Sequence, residues 1–465
     1  MMIRLPWYEN GDRLQVAIAA NAIARAGYAV YRAMDNSPLL EKGDYLFAES
    51  TGSNFAEQGL VTQHVTVGDD YPLQAIYAPR IALLAGACSG YPYYGYYALA
   101  LLRLGYVFTI VDGEDIAKGC LDVHDLLVLP GGFSNWTLDL KEKTQGADDA
   151  VRRFLLRGGT VLGSCGGAYY LSRGRPGWLG VADARPYNTQ EYLRTGVGIL
   201  TCSILDERLG LGLPPTLEVA YFHGPVWDVL GDATDRLMEF RDYYGHGRLF
   251  IDNALTREIF ERDMRGCGAA LRTQGRRGHS ILFSPHPEMG DLLRKYMSLE
   301  TYIPRYQDIR GDLVMRETLA TYRPDESRSF LLILNAIEQL TTRSTTYARP
   351  ETVHSPVINL QSLGQYWMKR VEAFQPSAQP TGRLEQEIVE DLKNRFESFS
   401  VGMVDHWQEA KPDLKIMACR LVDDMALYLQ RQVGQRPAEI LLELELTCLL
   451  LEAWSINAAS DRWVR

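Results

Sequence analysis

One segment sets the architecture of this chain: Gly159-Thr160-Val161-Leu162-Gly163-Ser164-Cys165-Gly166-Gly167. It begins as a short apolar run typical of a β-strand, and residues 168–172 behind it fit the start of a helix. A strand, a sharp turn and a helix, with small residues two positions before and after a nucleophile, form the G-x-Nuc-x-G elbow. The glycines are needed because a Cβ at either flank would clash with the neighbouring strand or helix. Cys165 is therefore either a nucleophile whose thiolate is favoured by the helix N-terminus, or a buried structural cysteine.

Length and composition narrow the class of protein. The 465 residues suffice for two or three domains, and 46% hydrophobic with 23% charged residues is typical of soluble globular proteins. A net charge of −10 argues against nucleic acid or an anionic membrane as the main partner. Residues 1–10 lack a signal pattern, and no apolar run of about 18 residues occurs. Seven scattered cysteines without a C-x-x-C pair predict a cytoplasmic protein and offer no zinc signature. No metal and no cofactor are predicted, since the glycine-rich stretch over 86–90 also lacks the G-x-G-x-x-G spacing of dinucleotide sites.

Three segments of the chain differ in pattern. Residues 1–78 predict a small α/β piece, with an alanine-rich helix over 14–26 followed by strands. Residues 79–298 alternate buried strands and helices, which predicts a doubly wound parallel sheet with ligands beyond the carboxyl ends of its strands. Residues 299–465 lose the strand signals and carry five amphipathic helices, which predicts an all-α domain.

A cysteine nucleophile needs a base, and the base needs an orienting group. His286 and Glu288 follow a predicted strand of a β-hairpin, in the sequence Pro285-His286-Pro287-Glu288, and both can reach the space above the sheet. Their distance from Cys165 along the chain is no obstacle, because the members of a triad meet in space. The amides of Gly132 and Gly166 are candidates for an oxyanion hole, and Gly131 leaves its turn bare for substrate approach.

Four motifs carry a resemblance to a known family: Pro130-Gly131-Gly132, the Cys165 elbow, His223-Gly224-Pro225 and Ser284-Pro285-His286-Pro287-Glu288. Together they resemble the class I glutamine amidotransferase-like superfamily over about residues 79–298. The likeness is greatest to the amidotransferase-like domain at the N-terminus of eukaryotic biotin–protein ligases. The resemblance implies a flavodoxin-like sheet, with Cys165 as nucleophile, His286 as base and Glu288 as its orienting group.

The substrate is less defined than the triad. Glutamine-hydrolysing members of the superfamily carry Gln where this chain has Tyr169, so the resemblance puts free glutamine in doubt as a substrate. His223 is either a residue of the substrate pocket or a capping or core histidine. The aromatic run over 91–97 is a pocket wall or an interface.

Two functions follow from these observations. The first is a Cys-His-Glu hydrolase or amidotransferase-like enzyme acting on a small-molecule amide or related carbonyl. The second is a non-catalytic regulatory or assembly subunit that binds a ligand or partner through the same fold. In both, the C-terminal helices are expected to contribute no catalytic group and to bind a partner protein or a second copy. Their most apolar stretch, residues 446–451 with Trp454, has to be buried somewhere.

Overall fold

The computed structural model describes residues 1–51, 55–68, 70–132, 137–139, 142–187, 196–245, 248–249, 251–252, 255–274, 278–297, 327–341, 357–378, 382–431, 435–460 and 462–464. Within these ranges the strands are β1 (Met2–Leu5), β2 (Val30–Ala33), β3 (Tyr45–Ala48), β4 (Gln63–Val65), β5 (Leu73–Ile76), β6 (Ile81–Leu84), β7 (Phe108–Val111), β8 (Leu126–Leu129), β9 (Thr160–Ser164), β10 (Ala184–Pro186), β11 (Val197–Ile204), β12 (Thr216–Phe222), β13 (Trp227–Leu230), β14 (Thr234–Gly245), β15 (Arg248–Leu249), β16 (Ile251–Asp252), β17 (Gly268–Gln274) and β18 (His279–Phe283). The helices are α1 (Arg13–Arg25), α2 (Tyr93–Arg103), α3 (Gly113–Ala117), α4 (Ala147–Leu156), α5 (Gly166–Leu171), α6 (Arg257–Asp263), α7 (Gly290–Met297), α8 (Phe330–Leu340), α9 (Leu360–Glu372), α10 (Gly382–Trp407), α11 (Pro412–Gln430) and α12 (Pro437–Ser460).

The N-terminal segment is an antiparallel sheet with one helix on it. Its strand order is β4-β1-β3-β2-β5. Helix α1 begins where the Asp12 carboxylate accepts hydrogen bonds from the amides of Leu14 (2.9 Å) and Gln15 (3.3 Å), which satisfies free N–H groups of the first turn. The sequence predicted the helix and β2 to β4, although β2 begins two residues later than expected. It did not predict β1 and β5.

The central sheet confirms the predicted doubly wound architecture. Strands β7-β6-β8-β9-β18 are parallel neighbours. Taken in order of occurrence, this is the 2-1-3-4-5 arrangement of flavodoxin-like folds. Strands β6 and β8 are buried along their whole length, as their unbroken apolar sequences indicated. The elbow at the end of β9 and the turn after β18 therefore lie at one edge of the sheet.

An antiparallel extension continues the sheet beyond β18. Strands β17, β14, β11 and β12 follow in that order, each antiparallel to the next. The predicted hairpin is confirmed, because β17 and β18 pair with Ala270 opposite Phe283; residues 275–277 of its turn lie outside the described part. Of the extension, only β12 and β17 were predicted.

The C-terminal helices pack directly on the α/β region. In α8, the Asn335 side-chain amide donates to the carbonyls of Leu209 (2.8 Å) and Leu211 (2.9 Å). In α11, Arg420 donates to the Ile110 carbonyl at the end of β7 (3.1 Å), and α12 packs along α2. Residues 446–451 and Trp454 are buried within this one chain, and residues 441–446 are helical as predicted. Among the helices described, none is both long enough and apolar enough to cross a membrane.

Candidate active site

Cys165 occupies a strained turn between β9 and α5. Its backbone has φ 47° and ψ −105°, a conformation that L-residues rarely adopt, and its amide donates to the Phe283 carbonyl of the adjacent strand (2.9 Å). A Cβ on Gly167 would lie 2.3 Å from the Leu129 carbonyl oxygen, so helix α5 starts in contact with β8 only because position 167 is glycine. These contacts place the thiol at the carboxyl edge of the sheet.

His286 and Glu288 reach the same edge from the neighbouring strand. Phe283 is opposite Ser164 in the parallel β18–β9 pair, so the turn after β18 lies beside the elbow. The His286 amide donates to the Ala220 carbonyl (2.7 Å), which fixes the backbone of that turn. The His286 imidazole Nδ1 and Glu288 Oε1 are 2.7 Å apart, and the two side chains are 2% and 1% exposed. Glu288 therefore orients the imidazole through Nδ1, and the second ring nitrogen, Nε2, is not used by this contact.

Burial and two neighbouring side chains, Glu288 and Cys165, set the pKa of His286. Burial lowers the pKa of the imidazole, but Glu288 and Cys165 raise it, and the net result is a pKa well above the usual value. Cys165 is thus close enough to interact with the ring. Among the described residues, however, Nε2 has no partner with hydrogen-bond geometry, and the Cys165 thiol donates to the Phe222 carbonyl instead (3.2 Å).

The Gly131-Gly132 turn is fitted closely to its surroundings. A Cβ on Gly131 would lie 2.1 Å from His286 Cε1, and a Cβ on Gly132 would lie 2.2 Å from Tyr93 Cγ. The bare turn expected to admit substrate is therefore occupied on its Cβ side by the imidazole and an aromatic ring. Buried Ser89 donates to the Gly131 carbonyl (3.1 Å), which fixes the peptide between the two glycines. Among the described residues, neither the Gly132 amide nor the Gly166 amide donates a hydrogen bond.

Residues 93–204 match the CobB/CobQ-like glutamine amidotransferase domain. This range holds the Gly131-Gly132 turn and the Cys165 elbow but ends before His286. No curated protein sequence matches the chain. Among solved structures, a glutamine amidotransferase from Thermotoga maritima is 16% identical, with a TM-score of 0.34, and covers 57% of this chain and 99% of its own. A glutamine amidotransferase from Methylobacillus flagellatus (12% identity, TM-score 0.34) covers 59% and 99%, and PurLQS from Thermotoga maritima (15%, 0.31) covers 56% and 99%.

His223 lies next to the residue that accepts the Cys165 thiol hydrogen. Its φ is 53°, and it follows Phe222, whose carbonyl accepts the Cys165 thiol hydrogen. Its Nδ1 accepts from the Gly196 amide (2.9 Å), so the neutral ring carries its hydrogen on Nε2. Burial, with a smaller contribution from His286, lowers the pKa of His223 to about 4. His223 is therefore an uncharged donor at neutral pH.

Tyr169 was expected to line the substrate pocket, but its side chain is buried inside the protein. Its side chain is 1% exposed and packs on Trp178, with 5.4 Å between ring centroids. Position 169 thus carries a buried aromatic ring rather than an amide side chain. Among the described residues, no group of three His, Cys, Asp or Glu side chains is placed to hold a metal ion.

Two serines that the sequence did not indicate support the turn that carries His286 and Glu288. Ser329 donates to the Pro287 carbonyl (2.9 Å), between His286 and Glu288, and Ser327 accepts from the Asp291 amide at the start of α7 (2.9 Å). Both serines are buried. They lie 42 and 36 positions from their partners, and no local pattern in the sequence indicates such contacts.

Proposed function

We propose that this chain is a cysteine-dependent hydrolase or amidotransferase-type enzyme acting on a small-molecule amide or related carbonyl. Cys165 is the nucleophile, His286 the general base and acid, and Glu288 the group that orients the imidazole. One observation carries the proposal: a buried imidazole is held through Nδ1 by a carboxylate beside a cysteine at a positive-φ elbow, and its Nε2 has no hydrogen-bond partner in the described part of the chain. The match to an amidotransferase domain over residues 93–204 supports it.

The reaction follows from the roles of these groups. His286 Nε2 takes the thiol proton, and the Cys165 sulfur forms a bond to the carbonyl carbon, whose electron pair moves to the oxygen. The amides of Gly132 and Gly166, which donate to none of the described residues, donate to that oxyanion. Nε2 then returns the proton to the nitrogen, the carbon–nitrogen bond breaks, and ammonia or an amine leaves a thioester. Water, deprotonated by Nε2, attacks the thioester; the carbon–sulfur bond breaks and the carboxylic acid is released.

The substrate belongs to the same proposal. The likeness to the N-terminal domain of biotin–protein ligases, together with Tyr169, favours an amide other than free glutamine. Tyr169 supports this because a phenol has no amide with which to fix a glutamine side chain. Its ring is also buried against Trp178.

A second candidate is a ligand-binding subunit without turnover. It is favoured by the hydrogen bond from the Cys165 thiol to the Phe222 carbonyl, because that bond directs the thiol proton away from His286. In this alternative the C-terminal helices bind a partner protein or a second copy of the chain.

Selective alkylation separates the two candidates from a plain structural cysteine. We expect iodoacetamide near pH 7 to modify Cys165 before the other cysteines, as located by mass spectrometry of digested protein. Burial raises the pKa of Cys120 to about 12 and also raises that of Cys267 and Cys419, so these three partly exposed thiols are internal controls.

His286→Asn should slow the modification of Cys165 and leave that of the controls unchanged. Equal rates at Cys165 and Cys419, or no effect of His286→Asn, would refute the enzyme proposal. Fast alkylation with no Cys165-dependent ester or amide turnover would favour the binding subunit.

A further inference from the structure

The aromatic run over 91–97 splits into residues with different environments. Tyr91 and Tyr94 bind the C-terminal helices, through Thr447 (3.3 Å between hydroxyls) and the Asp424 carboxylate (2.7 Å). Both are buried in the described structure. Tyr93, the first residue of α2, keeps 46% of its surface exposed. The run was expected to form an interface or a pocket wall, and Tyr93 is the member left open to solvent beside the triad.

Tyr93 lies against the reaction centre. Its ring fills the space on the Cβ side of Gly132, with Cγ only 2.2 Å from where that Cβ would be. Gly132 has φ 67°, so both its backbone conformation and the ring above it require glycine. Desolvation by the surrounding protein raises the pKa of the Tyr93 hydroxyl, and Cys165 raises it further. The ring therefore covers the Cβ side of Gly132 and is itself partly exposed to solvent.

We propose that Tyr93 is a specificity-determining residue that contacts the acyl group of the substrate. A carbonyl oxygen directed to the Gly132 amide brings its acyl substituent beside the Tyr93 ring, because the ring covers that glycine. An aromatic face favours flat or apolar groups through offset or edge contacts, which contribute about 0.5–1.5 kcal/mol beyond area burial. The preferred substrate class is an amide or ester whose acyl group carries a flat apolar substituent. This inference rests on the proposed function.

The test compares two esters with one leaving group. p-Nitrophenyl acetate and p-nitrophenyl 3-phenylpropanoate are mixed with the full-length chain, and the Cys165-dependent burst of p-nitrophenolate gives an acylation rate constant for each. The measured quantity is the ratio of phenylpropanoate to acetate. Tyr93→Ala should lower this ratio about 2- to 13-fold, which is the contact energy above expressed as a rate factor. Tyr93→Phe, which keeps the ring, should retain the wild-type ratio.

Two controls make the outcome decisive. Tyr28→Ala removes another exposed tyrosine, between α1 and β2, and should not change the ratio. If Tyr93→Ala leaves the ratio unchanged, or lowers both rate constants equally, the assignment of Tyr93 to the acyl group is wrong. Tyr93→Leu, which keeps apolar bulk, should give an intermediate ratio and serves if the alanine variant does not fold. Absence of any Cys165-dependent burst in the wild type would contradict the proposed function rather than the role of Tyr93.

Discussion

Gly131→Ala tests whether the triad depends on the fit between the Gly131-Gly132 turn and His286. The new methyl group would lie 2.1 Å from His286 Cε1, whereas non-bonded carbons approach to about 3.5 Å. The imidazole or the turn must therefore move by about 1.4 Å, the difference between these two distances. Position 131 is not among the positive-φ glycines, so the backbone itself accepts alanine.

A displacement of that size should separate Nε2 from Cys165. Misplacing a catalytic group by about 1 Å can cost about 100-fold in rate. We therefore expect Gly131→Ala to slow both the alkylation of Cys165 and any Cys165-dependent turnover by about 100-fold. The assays are the iodoacetamide rate and the p-nitrophenyl acetate burst, measured together with far-UV circular dichroism and urea unfolding.

Gly11→Ala is the matched control, because a Cβ at Gly11 has nothing within 4 Å and its φ is not positive. It should retain wild-type rates. If folded Gly131→Ala reacts as fast as the wild type, then the imidazole packed against Gly131 is not the base for Cys165. The triad proposal would then lose its geometric support.

Four further results are expected. Ser329→Ala should lower the free energy of unfolding in urea by about 1 kcal/mol and slow Cys165 alkylation several-fold, because the turn that carries His286 loses a buried hydrogen bond. Ser329→Thr, which keeps the hydroxyl, should retain the wild-type stability and alkylation rate. Ser400→Ala removes an exposed serine-to-carbonyl bond and should change neither quantity. The pKa of His286 is raised in the folded state, so the stabilisation from its protonated ring is fully present below about pH 6.5 and is lost as the pH rises through the folded-state pKa. The difference in unfolding free energy between wild type and His286→Gln should therefore shrink on the alkaline side. A difference that stays constant with pH would contradict this. The pKa of His223 is lowered to about 4, so stability should fall as the pH drops from about 6.5 towards 4, and His223→Asn, which tolerates positive φ, should reduce that fall. Purified chain should hydrolyse free glutamine weakly or not at all, because Tyr169 replaces the usual Gln; robust release of ammonia from glutamine, lost in Cys165→Ala, would overturn that expectation.

Buried parallel strands were the part of the fold most accessible from sequence. Strands β6 and β8 are unbroken apolar runs because helices cover both faces, and such runs are easily recognised. Strand β14 differs, since one face carries charged residues such as Arg236 and Glu239 while Leu237 and Phe240 are buried. A twelve-residue strand of this kind has only weak alternation, interrupted by register shifts against β11 and β17. The antiparallel extension was therefore missed.

The candidate site also contains residues that the sequence could indicate and residues that it could not. The elbow at Cys165 and the pair His286 and Glu288 have local signatures, because strained turns and proline-bounded strand ends restrict which residues can occur. The structure brings these three residues to one sheet edge, and their catalytic roles remain predictions. Tyr93 and Ser329 act across contacts between distant parts of the chain. No spacing rule connects a serine to a carbonyl 42 positions earlier, so such residues become visible only once the chain is folded.

The C-terminal helices were expected to serve assembly and to contribute no catalytic group, and their contacts show that they also support the turn that carries His286. Helix α7 begins two residues after Glu288, and its Lys295 pairs with buried Glu445 of α12 (2.7 Å). Burial raises the pKa of Glu445, yet Lys295, Tyr296 and Arg395 together bring it below the usual value, so the carboxylate stays charged. The turn that carries His286 is thus held by Ser329 on one side and by α7, anchored to α12, on the other. Removing the last third of the chain would expose apolar surface and also release both supports of that turn. We therefore expect such a fragment to lose Cys165 reactivity, and this loss would be compatible with the prediction that the helices provide no catalytic group.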